Sequence, residues 1–170
     1  TIQKGEKMKK ILFAMLACLV MLSSMVAPAS AQTPRTAFEG FIYFDGYLAA
    51  GNRWITGDQV VHIRGAEEAY IMDVDDPRLD GYVHNTYDGN LHITDAPVFV
   101  YGPLSGSMSI VNGDGSWEGN YAGMRTTEGY NYFVGQLHGY GAYAGMHAHI
   151  YFGRETPNPV GPMTIHGFVW

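Results

Sequence analysis

The chain has 170 residues and a mass of 18.7 kDa, which is the size of one domain. Beyond residue 31, six arginines and no lysine stand against fifteen carboxylates, so this part carries a formal charge of −9. Nucleic acids and anionic membranes require clustered positive charge, so we expect neither as a partner. The only cysteine is Cys18, which excludes an intramolecular disulfide and a cysteine-based metal cluster.

Residues 8–31 have the composition of a secretory signal peptide. A short basic start precedes twelve apolar residues, Ile11 to Leu22, and Ala29-Ser30-Ala31 forms an A-x-A cleavage site. We therefore predict export by a cleaved signal peptide, a secreted or periplasmic location, and no membrane contact after cleavage. Two alternatives stay open. One is an uncleaved anchor, although the apolar run is shorter than the roughly 20 residues that a span needs. The other is a lipoprotein acylated at Cys18, although Met15-Leu16-Ala17 fits a lipobox poorly.

The remaining chain has the composition of an all-β protein. It contains 21 of the 22 glycines and 22 of the 23 aromatic residues, and no apolar pattern of helical period continues for ten residues. Aromatic and β-branched residues fill short runs between the glycines, which is typical of strands. The predicted strands are 38–47, 54–64, 67–73, 81–87, 90–93, 98–101, 106–111, 116–125, 130–138, 146–153 and 162–169.

Turn residues separate these segments. Asp75-Asp76-Pro77-Arg78 predicts a turn, and Asn112-Gly113-Asp114-Gly115 predicts a hairpin. Gly65-Ala66 and Asp88-Gly89 predict two further reversals. Thr156-Pro157-Asn158-Pro159 predicts an irregular loop.

Alternation within the strands predicts the architecture. In the segment 146–153, one face carries aliphatic and aromatic residues, and the other carries His147, His149 and Tyr151. The second face mixes rings with hydrogen-bonding groups instead of plain charges, unlike the wet side of a sandwich. A closed barrel accounts for two such faces. We therefore predict that residues 36–170 form a single closed antiparallel β-barrel of about eight strands, preceded by the signal peptide.

Three segments carry a family resemblance. They are Asp76-Pro77-Arg78 with Gly81, Gly115-Ser116-Trp117-Glu118-Gly119 running to Gly123, and 135–138 leading into Gly139-Tyr140-Gly141-Ala142-Tyr143-Ala144-Gly145. Over roughly residues 60–169 the chain resembles a poorly characterised group of secreted bacterial β-barrel proteins. That group is similar in turn to the allene oxide cyclase and dirigent-like barrels. The resemblance implies an eight-stranded barrel of that type, often with an apolar cavity. Relatives of that kind isomerise or cyclise apolar substrates, or steer the coupling of phenolic radicals. None of their catalytic residues transfers to a position of this chain.

Two neighbouring strands supply the candidate ligand-binding residues. If their faces meet inside the barrel, tyrosine hydroxyls, one guanidinium and one imidazole line the lumen among rings, which suits an apolar ligand with a polar end. The alternative is that the rings simply fill the barrel. The cavity-lining candidates are Trp117, Tyr121, Arg125, Tyr132, Gln136 and His138.

The histidines allow a metal site without favouring one. His147 and His149 share a strand face, and a third ligand can come from His138 or His166, depending on register. Ordinary surface histidines are the preferred interpretation, so no metal and no cofactor is predicted.

The predicted function is that of a secreted β-barrel that binds a small apolar or aromatic molecule. One alternative is a non-enzymatic structural or surface barrel with a filled core. The other is an isomerase or cyclase, which requires a titratable group in the lumen, for which Glu39 and Glu118 are candidates. An oligomer is possible through residues 98–104, which can form an exposed edge.

Overall fold

The computed structural model describes residues 34–94, 100–154 and 161–170. Within these ranges every regular element is a strand, and Arg35–Trp170 form one compact unit. The described ranges contain no helix long and apolar enough to span a membrane. The strands are β1 (Thr36–Ala49), β2 (Asn52–Ile55), β3 (Val60–Val74), β4 (Gly81–Ile93), β5 (Val100–Val111), β6 (Gly115–Arg125), β7 (Asn131–Gly141), β8 (His147–Arg154) and β9 (Met163–Val169).

Eight antiparallel strands close into a barrel, as predicted. The strand order is β1-β9-β8-β7-β6-β5-β4-β3, and β1 pairs with both β9 and β3. Residues 36–42 of β1 pair with β9, and the stretch from Gly40 to Ala49 pairs with β3. The ninth strand, β2, lies outside this ring and pairs with β3 alone among the described strands.

Two glycine signals were wrongly predicted as chain reversals. Gly65 lies inside β3, where a register shift between Ile63 and Ala66 marks a bulge and φ is +63°. Glycine adopts this left-handed conformation without a steric penalty, so it can kink a strand as well as end one. Gly89 lies inside β4, and the preceding Asp88 carboxylate accepts a hydrogen bond of 2.8 Å from the Gly65 amide. The bulge therefore has its own partner on the neighbouring strand.

The reversal before β3 comes earlier, at residues 56–59. Thr56 N donates to Val60 O at 3.0 Å, and Gln59 N donates to Thr56 O at 2.9 Å. The predicted strand 54–64 is thus divided between β2 and β3. The predicted reversals at 75–78 and 112–115 are confirmed as the β3–β4 and β5–β6 connections. The predicted loop at 156–159 lies outside the described residues.

The prediction of an exposed edge at residues 98–104 is wrong for residues 100–104, which are the part of this segment that the structure describes. Leu104 pairs with Gly89 of β4 on one side and with Gly123 of β6 on the other. A free edge lies elsewhere. Within the described ranges, β9 ends its pairing with β1 at Ile42, and no strand flanks the second edge of β2.

A packed core fills the barrel between its ends. Inward-facing residues of every barrel strand contribute to one cluster, and most are less than a tenth exposed. The largest fully buried side chains are Trp117, Ile42, Met72, Leu79, Ile110, Leu137, Ile150, Ile165, Val83 and Val169. Burial of each such side chain contributes about 1.5–3 kcal/mol, so this layer supplies most of the favourable free energy of folding.

The β3–β4 loop closes one end of the barrel. Leu79 of this loop is 0% exposed and belongs to the core cluster. The Trp117 indole Nε1 donates to the carbonyl of Arg78 at 2.7 Å, and the Arg78 guanidinium pairs with Asp76 at 2.5 Å. Tyr143 stacks on Trp117 at a centroid distance of 5.4 Å. The loop is therefore held as a plug.

Asn112 joins this plug to two other connections. Its amide nitrogen donates to the carbonyls of Arg78 and Asp80, both at 3.2 Å. Its amide oxygen accepts hydrogen bonds from the Tyr143 hydroxyl at 2.9 Å and from the Gly115 amide at 3.2 Å. One side chain thus links the β3–β4, β5–β6 and β7–β8 connections.

Replacement of Asn112 by alanine tests this linkage. We expect Asn112→Ala to lower the free energy of unfolding by about 2–3 kcal/mol, because several backbone groups lose their partner together. Urea unfolding followed by tryptophan fluorescence measures the change. Asn120→Ala, on the outer face of β6, is the matched control and should change it by less than about 0.5 kcal/mol. Equal effects of the two substitutions would contradict the linking role.

Candidate ligand site at the open end of the barrel

Polar side chains line the interior near the end opposite the plug, where β6 ends at Arg125 and β7 begins at Asn131, and which we call the open end. The Tyr70 hydroxyl donates to the Glu68 carboxylate, and both residues face inward from β3. Burial, followed by the negative charge of Glu68, raises the pKa of Tyr70 and that of Tyr87. Burial also raises the pKa of Tyr121. The inner surface at this end therefore carries three phenol groups that keep their protons around one carboxylate.

Two aromatic rings at this end are open to solvent. Phe44 is 44% exposed and Tyr47 is 71% exposed. The Phe44 ring lies edge-on to Tyr70 at 5.5 Å and to Tyr47 at 5.0 Å. They are exposed because β9 begins at Met163, opposite Ile42, so β1 continues past the end of its neighbour. The rings form an apolar wall beside the phenol groups.

Arg125 is the last inward-facing residue of β6. It lies opposite Gly102 on β5 and Asn131 on β7. Its Nε atom is buried and has no hydrogen-bond acceptor in the described part of the chain. The Asn131 side-chain oxygen is likewise buried there without a donor. Burial, followed by the positive charge of Arg154, lowers the pKa of Arg125.

A half-buried guanidinium whose Nε atom has no acceptor is energetically unfavourable. A charged group loses hydration free energy when it is buried, and only an opposite charge or hydrogen bonds compensate for that loss. The positive charge of Arg154 adds to that of Arg125 at this end. The open end therefore contains a positively charged donor group next to exposed rings.

The structure places the six sequence-derived candidates on two different faces. Trp117 and Tyr121 are buried in the interior, and Arg125 faces inward at the open end. Tyr132 is 55% exposed, and Gln136 and His138 are exposed as well.

The expected inward orientation of Tyr132, Gln136 and His138 is thereby corrected. The register decides it: Trp117 lies opposite Gly139, so the odd-numbered residues of β7, including Phe133 and Leu137, face inward. The sequence did not define this register, and a shift of one residue reverses every side chain.

Several residues of the open end were not predicted from the sequence. Tyr47 is the clearest case, since simple alternation along β1 places it on the face opposite Phe44. A register shift between Phe44 and Gly46 turns Tyr47 to the inside, opposite Glu68. Glu68 and Tyr70 fall on one face of a predicted strand, which was the available signal. Alternation leaves Glu39 and Glu118 free to face either the lumen or water, and favours water for Glu118; both are exposed.

The outer face carries the histidines. His138 lies directly opposite His147 on the neighbouring strand, and His149 lies next to Tyr151 on the same face. His166 stacks on the Tyr151 ring at 5.3 Å. Among the residues that the structure describes, no group of three or more His, Cys, Asp or Glu side chains is placed to hold a metal ion.

Two shallow hollows lie on the outer face above β4, β5 and β6. One has a volume of about 390 Å³ and the other about 430 Å³. They share Thr86, Ser107 and Asn120, and polar residues make up much of both walls. Among the described residues, neither is lined by a buried polar atom without a partner, such as the Nε atom of Arg125, so the open end is the stronger candidate site.

Comparison of the chain with protein-family models, with curated proteins and with solved structures finds no match. The resemblance to allene oxide cyclase and dirigent-like barrels therefore stays a prediction.

The buried tyrosines predict how stability depends on alkaline pH. Each phenol keeps its proton to a higher pH in the folded than in the unfolded chain, where the pKa is about 10. This contribution is fully present below pH ~10 and is lost above it, by about 1.4 kcal/mol per pH unit for each proton. We expect Tyr121→Phe to reduce the slope of the free energy of unfolding against pH above pH ~10 by about 1.4 kcal/mol per pH unit, the share of one proton. Urea unfolding at a series of pH values measures this slope. The exposed Tyr140→Phe is the control, and an unchanged slope for Tyr121→Phe would refute the assignment.

Replacement of Arg125 by an apolar residue is expected to stabilise the folded protein. We expect Arg125→Met to raise the free energy of unfolding by about 1 kcal/mol at neutral pH, because it removes a desolvated cation and retains the apolar stem. The matched control is Arg78→Met, which removes the partner of Asp76 and should lower stability. Thermal or urea unfolding without added ligand measures both changes. A loss of stability in both variants would show that Arg125 is a structural cation.

Proposed function

We propose that the barrel binds a small aromatic or apolar molecule with an anionic end group at its open end. The observation that supports this most directly is the buried Nε atom of Arg125, which has no acceptor within the described ranges. Phe44 and Tyr47 offer exposed ring surface at the same end. A ligand with an anionic group and an apolar body would contact both the guanidinium and the rings.

The chemistry of the site defines the ligand class. A guanidinium forms two parallel hydrogen bonds with a carboxylate or sulfonate, and such charge-assisted bonds are about twice as strong as neutral ones. Aromatic rings bind the planar apolar body of a ligand by stacked or edge-on contacts. The Asn131 oxygen and the phenol groups of Tyr47 and Tyr87 can serve hydroxyl groups on the same molecule.

The packed core limits how deep the ligand enters. Trp117, Leu137 and Ile150 are at most 1% exposed, so the middle of the lumen is occupied by side chains. The ligand is therefore expected to lie in the mouth and not along the barrel axis. The alternative of a structural barrel with a filled core shares this packing, but it predicts no specific binding at Arg125.

The Glu68–Tyr70 pair favours a second candidate function, that of an enzyme. A carboxylate that accepts a hydrogen bond from a buried phenol is an acid–base group of the kind that an isomerase or cyclase needs. The resemblance to allene oxide cyclase-like barrels favours the same chemistry. For either activity we propose that the protein acts after export, on the strength of the signal sequence in residues 8–31.

Two fluorescent probes that differ in one charge test the proposal. Anilinonaphthalene sulfonate carries an anionic group, and phenylnaphthylamine has a similar ring system without it. We expect the sulfonate probe to bind the wild-type protein more tightly. Arg125→Gln should weaken its binding by at least about tenfold while leaving the neutral probe unchanged, because a charge-assisted pair is worth roughly 1.5–3 kcal/mol.

Control variants separate the two parts of the site. Phe44→Ala should weaken both probes, because it removes ring surface and no charge. Arg35→Gln, whose guanidinium lies over the Trp170 ring away from the open end, should affect neither. Equal binding of the sulfonate probe by wild-type and Arg125→Gln protein would refute the proposed site. A loss of both probes in Arg125→Gln alone would point to a change of fold, which circular dichroism would reveal.

A further inference from the structure

The outer face of the β7–β8 hairpin holds two imidazole rings in direct contact. His138 and His147 occupy opposite positions of the two strands, and their Nδ1 atoms lie 3.0 Å apart. The ring planes are inclined at 80° with centroids 4.9 Å apart. Without a bound ion, one Nδ1 carries a proton and donates a hydrogen bond to the other Nδ1. This hydrogen bond therefore involves the Nδ1 atoms of both rings.

We propose that His138 and His147 bind a divalent transition-metal ion between their Nδ1 atoms, on the outer face and near the plugged end of the barrel. Two nitrogens 3.0 Å apart, each about 2.1 Å from an ion, subtend an angle of roughly 90°. A tetrahedral zinc site prefers a wider angle, whereas adjacent positions of a square-planar or tetragonal site are 90° apart. The geometry therefore points to copper(II) first and nickel(II) second.

Binding requires only a local rearrangement. The proton on the donating Nδ1 moves to the Nε2 atom of the same neutral ring, and rotation about the terminal side-chain torsion directs both lone pairs at one ion. This torsion is broad, so the rotation costs little. No third His, Cys, Asp or Glu of the described residues joins the pair in a cluster, so water completes the coordination.

The backbone and a neighbouring ring position His147. Its N–H donates to the Trp170 carbonyl at 2.9 Å, and its carbonyl accepts from the Trp170 N–H at 3.0 Å. The Trp170 indole also stacks on the His147 ring at 5.8 Å. On the other side, Glu118 lies opposite His138 on β6, where its carboxylate favours a nearby cation. One ligand is thus held firmly, and the other is exposed and free to adjust.

Copper titration of the purified, tag-free protein tests the site. Isothermal calorimetry with copper(II), nickel(II) and zinc(II) is expected to show a copper site of the highest affinity. Electron paramagnetic resonance of the copper form should show hyperfine coupling to imidazole nitrogens from two rings. His138→Ala and His147→Ala should each weaken copper binding by at least about tenfold, because a chelate becomes a single ligand.

Two other histidines on the outer face provide matched controls. His84→Ala and His166→Ala should leave the affinity unchanged, because their rings contact Glu67 and Tyr151 instead. His138 is exposed, so His138→Ala should retain the wild-type melting temperature without metal and decides the question if His147→Ala fails to fold. Copper affinity in His138→Ala equal to that of the wild type, or an equal loss in the control variants, would overturn the proposal. Since Arg125 is intact in these variants, their probe binding reports separately on the open end.

Discussion

The pairing of β1 with two strands at once determines the rest of the structure. Its first residues pair with β9 and its later residues with β3, and only the stretch from Gly40 to Ile42 pairs with both. This overlap closes the barrel and removes the sheet edges along that length. Beyond it, β1 pairs with β3 alone among the described strands, and Phe44 and Tyr47 are exposed there. Closure of the fold and exposure of the candidate site are two results of the same strand offset.

The two ends of the barrel differ in how their polar groups are satisfied. At the plugged end, Asn112, Trp117 and Arg78 hydrogen-bond to one another or to backbone carbonyls of the loops. At the open end, the buried atoms of Arg125 and Asn131 have no partner in the described ranges. Buried polar groups without partners are uncommon in folded proteins, and each calls for an explanation. A ligand that supplies an acceptor for Arg125 and a donor for Asn131 explains why these two groups are left unpaired at the open end.

The sequence predicted the composition-dependent features better than the register-dependent ones. The density of glycine and aromatic residues identified an all-β chain, and the alternation within its strands predicted the barrel. Alternation in β6 also correctly placed Trp117 and Tyr121 on one face. The same reasoning failed for Tyr132, because the face of β7 depends on which residue lies opposite Trp117. It failed for Tyr47 because a bulge inverts the alternation. Both errors concern a shift of one residue, which local composition does not encode.

The pleat of the sheet also separates two opposite chemistries. Arg125 faces the interior from β6, while His138 faces outward from the neighbouring strand β7. An anionic ligand and a metal cation can therefore bind without contact, because the two side chains point to opposite faces. The two positions are also far apart along the sheet, since Arg125 lies opposite Asn131 at the start of β7 and His138 lies seven residues further along that strand. The acidic charge beyond residue 31 attracts cations and repels anions at long range. An anion bound at the open end must hence gain affinity from the rings as well as from Arg125, which favours a ligand with an aromatic body over a small inorganic ion.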